Sequence, residues 1–332
     1  MPESSDDHAV IPDPWNRGLP VLLSGFAERH RFEPWFAAAI VLVLSFVLFQ
    51  FIIAPLAIGL ALVISGVDLL ALLDELSTEG MGALDEYTAQ LLAANTVGLV
   101  FAFGIPALMW SRLSTPQVFS FLRLRKADWR FVVLGLAGWF VLIPIVQFAG
   151  QLNAALPWPE SVRIWEQQML EPVTRFLERP DMLVPSLLMI ALAPAICEEI
   201  LFRGYLQRQL ERSTGVSWSI VLSGFLFGAY HLQPTKLLPL ALLGGYFAFL
   251  TWRTGSLVPA MFAHFAQNAM AIILSYFFAQ SGRDVAELDA LVVPWYMAVG
   301  GAGLLWGVVY LLNRKAGESL RSTGATAWFT AD

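Results

Sequence analysis

The ionisable side chains that lie within the apolar stretches of this chain all belong to three short motifs. A charged side chain near the bilayer centre costs roughly 2.5–3.5 kcal/mol on insertion scales, so such a group has to be paired or used. We therefore expect the function to reside in these motifs. They are Glu198-Glu199 with Arg203, Phe227 with His231, and His264 with Asn268.

Helical spacing separates the roles of the residues within each motif. Glu199 and Arg203 are four residues apart, share a helix face and can form an ion pair. Glu198 is turned by about 100° from Glu199, so it stays available to another partner. His264 and Asn268 are also four residues apart and present an imidazole and an amide to one point.

Together these groups have the composition of a hydrolytic site. A carboxylate and two imidazoles held where water is scarce are what general-base activation of a water requires. The Asn268 amide is suited to hold the oxyanion of a tetrahedral intermediate, and Phe227 is expected to stack one turn below His231. Each residue alone also has a structural interpretation, because Glu–Arg pairs join helices and single histidines pack in cores. The combination favours a functional site.

The composition is that of a polytopic membrane protein. Of the 332 residues 57% are hydrophobic and 14% are charged, whereas a soluble domain carries about 25% charged residues. A net charge of −6 indicates no nucleic-acid partner. The single Cys197 excludes an intramolecular disulfide, and we interpret it as a packing residue.

Eight apolar segments approach the length of about 20 residues that spans a bilayer. All should be helices in an all-α fold, because the period-2 pattern of a membrane barrel is absent. We expect one transmembrane domain over 36–313, with disordered polar cytoplasmic tails at 1–35 and 314–332. The segment 157–180 is expected to be an amphipathic helix at the interface or a solvated loop. The predicted spans are near 36–65, 93–111, 131–152, 182–202, 217–232, 237–252, 257–279 and 293–312.

Charge in the connections predicts the orientation. With both termini inside, the inner side carries 15 Lys and Arg residues and the outer side five. The protein is thus expected in the cell (inner) membrane with both termini cytoplasmic.

The motif spacing predicts a helical hairpin. Residues 213–215 form the natural turn, with Glu198 17 residues before Gly215 and His231 16 residues after it. Both side chains then lie roughly 25 Å from the turn, and the basic stretch 203–212 becomes a helical extension whose end emerges into the cytoplasm. His264 lies nearer its own inner turn, so the hairpin must protrude for the motifs to meet.

The motifs resemble those of a known family. The run 193–206, APAICEEILFRGYL, looks like the EExxxR motif of the CAAX-protease and bacteriocin-processing (CPBP, or ABI) intramembrane endopeptidases. FGAYH at 227–231 resembles their FxxxH motif, and HFAQN at 264–268 resembles their HxxxN motif. The order and spacing agree over roughly 120–280.

The resemblance implies an eight-helix fold that hydrolyses a peptide bond of a membrane-associated protein or peptide in the lipid bilayer, as in CAAX-type C-terminal processing. Glu198 would be the general base and His231 its partner on the nucleophilic water. His264 and Asn268 would bind the scissile carbonyl or its oxyanion.

The resemblance also implies that Glu199 and Arg203 orient the site, but it leaves the role of a metal open. The family is commonly labelled as metalloproteases, and Glu198, His231 and His264 would be the ligands of a divalent metal such as zinc. The same residues would equally serve a metal-free glutamate protease.

Two other classes of function are alternatives. A non-catalytic scaffold or bacteriocin-immunity protein on the same fold could lose a motif residue, but all are retained here. A proton-coupled transporter predicts paired repeats or broken helices in both halves, and the sequence shows neither.

Overall fold

The computed structural model describes residues 9–16, 19–177, 179–283, 288 and 292–322. Helices dominate these residues, which confirms the predicted all-α membrane class. A two-stranded antiparallel ribbon of β1 (Ala9–Ile11) and β2 (Val21–Leu23) accompanies them. The α-helices are α1 (Phe26–Arg29), α2 (Pro34–Val47), α3 (Ala54–Ile64), α4 (Leu69–Glu79), α5 (Thr88–Leu99), α6 (Ile105–Ser114), α7 (Val118–Phe121), α8 (Trp129–Ala154), α9 (Glu160–Leu177), α10 (Leu183–Ser186), α11 (Ala193–Glu199), α12 (Gln207–Tyr230), α13 (Leu237–Thr254), α14 (Val258–Gln280) and α15 (Trp295–Ser322).

Widened π-helical turns join several of these helices. Those at Leu48–Ile53, Val100–Gly104 and Leu187–Leu192 each end two residues before a proline. Proline has no N–H and crowds the carbonyl of the preceding turn, so a wider turn there accommodates it. The turn at Ile200–Leu206 follows Glu199 and contains no proline. Single 3₁₀ segments occur at Gly80–Tyr87, Pro180–Met182 and Pro234–Lys236.

The membrane-length helices agree with the predicted spans. Within the described ranges seven helical segments are long and apolar enough to cross a membrane. The longest, Pro180–Tyr230, contains Gly215 at φ 77° and ψ 173°, a conformation that only glycine adopts readily. Gly215 therefore divides it into the two arms of the predicted hairpin, which correspond to the fourth and fifth predicted spans.

Glycines allow α12 and α13 to approach closely. A Cβ atom on Gly224 would lie 2.6 Å from the carbonyl oxygen of Ala241, and one on Gly228 would lie 2.8 Å from that of Leu237. A Cβ atom on Gly244 would lie 3.0 Å from the Cα of Gly224. Small residues of this kind bring backbones together where lipid provides no hydrophobic drive.

The N-terminal segment is folded onto the helices, so its predicted disorder is wrong for 9–16 and 19–33. The side chain of Asp13 is 4% exposed, pairs with Arg125 and lies 3.7 Å from Arg208. Glu28 accepts two hydrogen bonds from Arg212, at 2.9 and 2.8 Å. These carboxylates find cations far along the chain. Residues 1–8 and 17–18 lie outside the described part.

The stretch 203–212 is helical as predicted. Its residues Arg203, Gln207 and Arg208 are buried, and exposure begins at its end, where residues 213–215 are exposed. At the other end, α15 continues to Ser322, so the predicted C-terminal tail from 314 is helical that far. Residues 323–332 lie outside the described part.

The predicted amphipathic helix at 157–180 is present as α9. Its Glu166 is buried and accepts hydrogen bonds from the backbone N–H and hydroxyl of Thr235, just after the second motif. This contact fixes α9 to the loop between α12 and α13. Its place at a membrane interface stays a prediction.

Candidate active site

One carboxylate oxygen joins the first and third motifs. Oε1 of Glu199 accepts a hydrogen bond from Nη1 of Arg203 at 2.8 Å and one from Nδ1 of His264 at 2.9 Å. The side chains of Glu199 and Arg203 are both fully buried. The ion pair expected from the i,i+4 spacing is therefore present, and the contact with His264 is an addition that the spacing did not indicate.

Arg203 ties the first motif to α13. Its Nη2 donates to the carbonyl oxygen of Gly244 at 3.0 Å. Its guanidinium lies 4.3 Å from the ring centre of Phe227 and 5.4 Å from that of Phe247. Cation–π contacts of this kind are stronger when the cation is desolvated. Three helical elements thus hold the guanidinium, and through it the Glu199 carboxylate.

His264 lies between the two glutamates. Its Nε2 is 3.9 Å from Oε2 of Glu198, too far for a direct hydrogen bond but close enough for both to contact one intervening atom. Its ring stacks on Phe247, with centres 5.2 Å apart and planes at 18°. His264 therefore reaches the level of the first motif, the condition that the sequence left open.

His231 ends α12 and bonds back to its own helix. Its Nδ1 is 2.8 Å from the carbonyl oxygen of Phe227. Because a carbonyl only accepts, the proton is assigned to Nδ1, and Nε2 of the neutral ring is an acceptor. Its ring contacts Phe227 at 4.7 Å, and Phe227 in turn contacts the ring of His264 at 5.6 Å.

Asn268 is held to a neighbouring helical segment. Its Nδ2 donates to the carbonyl oxygen of Ile190 at 3.3 Å, in the π-helical turn before α11. The amide thus retains one N–H and its oxygen for another partner.

The predicted residues are brought together to different degrees. Glu198, Glu199, Arg203 and His264 form one polar cluster, and Phe227 bridges it to His231 through ring contacts. Within the described residues, no group of three His, Cys, Asp or Glu side chains is arranged to hold a metal ion. A zinc site needs three protein ligands at about 2.0–2.2 Å from one point. The predicted set of Glu198, His231 and His264 does not have this form.

Several buried polar atoms in and beside the cluster have no partner among the described residues. They include Oε2 of Glu198, Oε2 of Glu199, Nε of Arg203 and the hydroxyl of Tyr230. Such atoms are rare in native structures and require an explanation. Sequence reasoning identified Glu198 but not Tyr230, since a tyrosine beside a motif histidine has no spacing signal of its own. Cys197 is buried beside Glu198 and is not disulfide-bonded.

Comparison with known proteins agrees with the motifs. Residues 180–270 match the family model described as "Type II CAAX prenyl endopeptidase Rce1-like". No curated protein and no solved structure matched the chain. The matched range contains all three motifs and the helices that carry them. Residues 180–270 are therefore similar to an Rce1-like domain, which is consistent with the CPBP family that the motifs resemble.

Proposed function

We propose that this chain is an intramembrane endopeptidase of the CAAX-protease type, with Glu198 as its general base. The observation that carries the proposal is the buried, unpartnered Oε2 of Glu198, which faces Nε2 of His264 across 3.9 Å. A buried carboxylate oxygen without a partner costs stability. If this oxygen accepts a hydrogen bond from the catalytic water and then takes its proton, the oxygen has a partner and its burial has a functional reason.

The contacts of His264 suit the proposed chemistry. The proposed reaction uses this histidine with a proton on each ring nitrogen. Its Nδ1–H is held by the Glu199 carboxylate at 2.9 Å, as a carboxylate orients a catalytic imidazole in hydrolases. Nε2–H of His264 is then a donor directed to the space beside Glu198.

The reaction follows from these positions. Glu198 takes a proton from the water while the oxygen of the water attacks the scissile carbonyl carbon. The carbonyl oxygen becomes an oxyanion. Nε2–H of His264 and the remaining N–H of Asn268 donate to that oxyanion. When the C–N bond breaks, the proton held by Glu198 passes to the leaving amine.

His231 serves as the second contact of the attacking water. Its Nδ1–H donates to the carbonyl oxygen of Phe227, so Nε2 can accept a hydrogen bond from the attacking water. This bond uses the second hydrogen of the water, because Glu198 removes the first. Phe227 fixes this imidazole and also packs against Arg203. The second motif thus orients the nucleophile, and the third binds the carbonyl.

The test compares the parent protein with Glu198→Gln. In the first experiment, both proteins are purified in detergent and incubated with an internally quenched peptide that has a farnesylated CAAX end. In the second, the C-termini of membrane proteins are compared by proteomics between cells that express the parent and cells that express the variant. We expect cleavage by the parent only, and no loss of it after dialysis against a chelator, because the described residues form no three-ligand site.

The same comparison tests the scaffold alternative. Glu198→Gln keeps the shape of the side chain and removes its negative charge, so it should elute and melt like the parent. A parent that changes no membrane C-terminus and leaves the peptide intact would contradict the proposed protease. Equal cleavage by the parent and the variant would instead reject Glu198 as the base.

A further inference from the structure

The hydroxyl of Tyr230 is a polar group that no contact in the fold explains. It is buried, and none of the described residues gives it a hydrogen bond. An unpartnered buried hydroxyl costs stability, so a purely structural role would be served better by phenylalanine. Native proteins retain such conflicts mainly at functional sites.

The ring of Tyr230 is held rigidly. It packs edge-on against Phe46, Phe103 and Phe202, with ring centres 5.5, 5.5 and 5.3 Å apart. These three rings come from α2 and from two π-helical turns. Because the ring is fixed on several sides, its hydroxyl has a defined position, as a pre-organised donor requires.

That position is beside the proposed base. Phe202, which contacts Tyr230, lies four residues after Glu198 and therefore near its face of the helix. Tyr230 is also the last residue of α12 and directly precedes His231, the motif histidine. Its hydroxyl and Oε2 of Glu198, both buried without a partner among the described residues, thus belong to neighbouring parts of the site.

We propose that Tyr230 is a further catalytic residue, whose hydroxyl donates a hydrogen bond to the oxyanion formed when the water at Glu198 attacks. This inference rests on the proposed function. The hydroxyl keeps its proton throughout, so the proton balance of the reaction is unchanged. Removing one such donor in other enzymes lowers kcat by roughly 10²–10³-fold.

The experiment compares Tyr230→Phe with Tyr246→Phe. The hydroxyl of Tyr246 is also buried, but it donates to the carbonyl oxygen of Gly135 in α8 at 2.7 Å. With the farnesylated peptide, Tyr230→Phe should lower kcat by about 10²-fold with KM within a few-fold, and should melt at or above the parental temperature. Tyr246→Phe should keep the parental kcat and melt lower.

The outcomes separate the two proposals. If Glu198→Gln is inactive while Tyr230→Phe keeps the parental kcat, the Tyr230 inference fails and the protease proposal stands. If Tyr230→Phe melts at a lower temperature and loses activity only through a higher KM, the role of Tyr230 is structural. This result also overturns the inference. A parent that cuts neither the peptide nor any membrane protein overturns both.

Discussion

A single oxygen atom, Oε1 of Glu199, holds a guanidinium from its own helix and an imidazole from α14. The carboxylate therefore positions His264 as well as neutralising Arg203. Removing it leaves a fully buried cation and frees the histidine. At the scale of single residues, stability and chemistry depend on the same contact.

We predict that Glu199→Ala lowers the free energy of unfolding by about 3–5 kcal/mol, the usual cost of removing one partner of a buried ion pair. Arg203→Leu in the same chain should restore part of it, but not all, because Gly244 then loses its hydrogen bond. Thermal unfolding in detergent of both single variants and the double variant measures the coupling.

A matched control for this cycle lies at the surface. Glu318 pairs with Arg314 at the same four-residue spacing, but the two side chains are 46% and 65% exposed. Glu318→Ala should leave the melting temperature nearly unchanged, since solvent screens exposed pairs. Strictly additive effects of Glu199→Ala and Arg203→Leu would contradict the coupling.

At the scale of elements, the backbone approach of α12 to α13 sets the positions of the site. Gly224 and Gly228 lie on the helix that carries Phe227 and His231, whereas α13 supplies the Gly244 carbonyl and the Phe247 ring. Any increase in their separation moves the supports of Arg203 and His264 away from the second motif.

We therefore expect Gly224→Ala to cost about 1–3 kcal/mol, typical of overpacking, and to lower cleavage strongly. Its Cβ atom would lie 2.6 Å from the backbone of Ala241 and Gly245. Gly245→Ala is the control, because a Cβ atom there meets nothing within 4 Å. Melting temperature and peptide cleavage of the two variants check this, and equal behaviour would count against close packing as the cause.

The sequence predicted relations within a helix better than relations between helices. The spacing of Glu199 and Arg203 fixed their common face, and Ser213-Thr214-Gly215 fixed the turn, because both depend on local geometry. The choice of His264 as the partner of Glu199 depends on how α14 packs, which helical periodicity does not determine. The π-helical turn at Ile200–Leu206 could not be predicted either, because no proline marks its position in the sequence.

The N-terminal segment shows the same limit more strongly. Its polar, acidic composition is typical of a disordered tail. Asp13 and Glu28 are nevertheless ordered by arginines more than 100 positions later. No local pattern reveals such partners.

At the scale of the whole molecule, the excess of Lys and Arg on one side predicts that water and substrate reach the site from the cytoplasm. Ser213 at the hairpin turn and Ser281 after α14 are both exposed and lie on opposite predicted sides. A cysteine for labelling is placed at Ser281, because the next residue, Gly282, has a φ of 69° that disfavours any side chain.

We predict that Ser281→Cys, but not Ser213→Cys, reacts with a membrane-impermeant maleimide in intact cells. The background is Cys197→Ala, which removes the native thiol. Both cysteines should react after the membrane is permeabilised, which serves as the control. Labelling of position 213 alone in intact cells would invert the topology and place the approach to the site outside.

The contacts of the N-terminal segment also constrain the order of events during synthesis. Glu28 and its partner Arg212 are 184 residues apart. At about 5–20 residues per second, roughly 10–40 s pass between the synthesis of the two side chains. Asp13 can meet Arg125 earlier, after 112 residues. The N-terminal segment therefore docks in two stages, and its Glu28 contact forms only after the ribosome has passed the EExxxR motif.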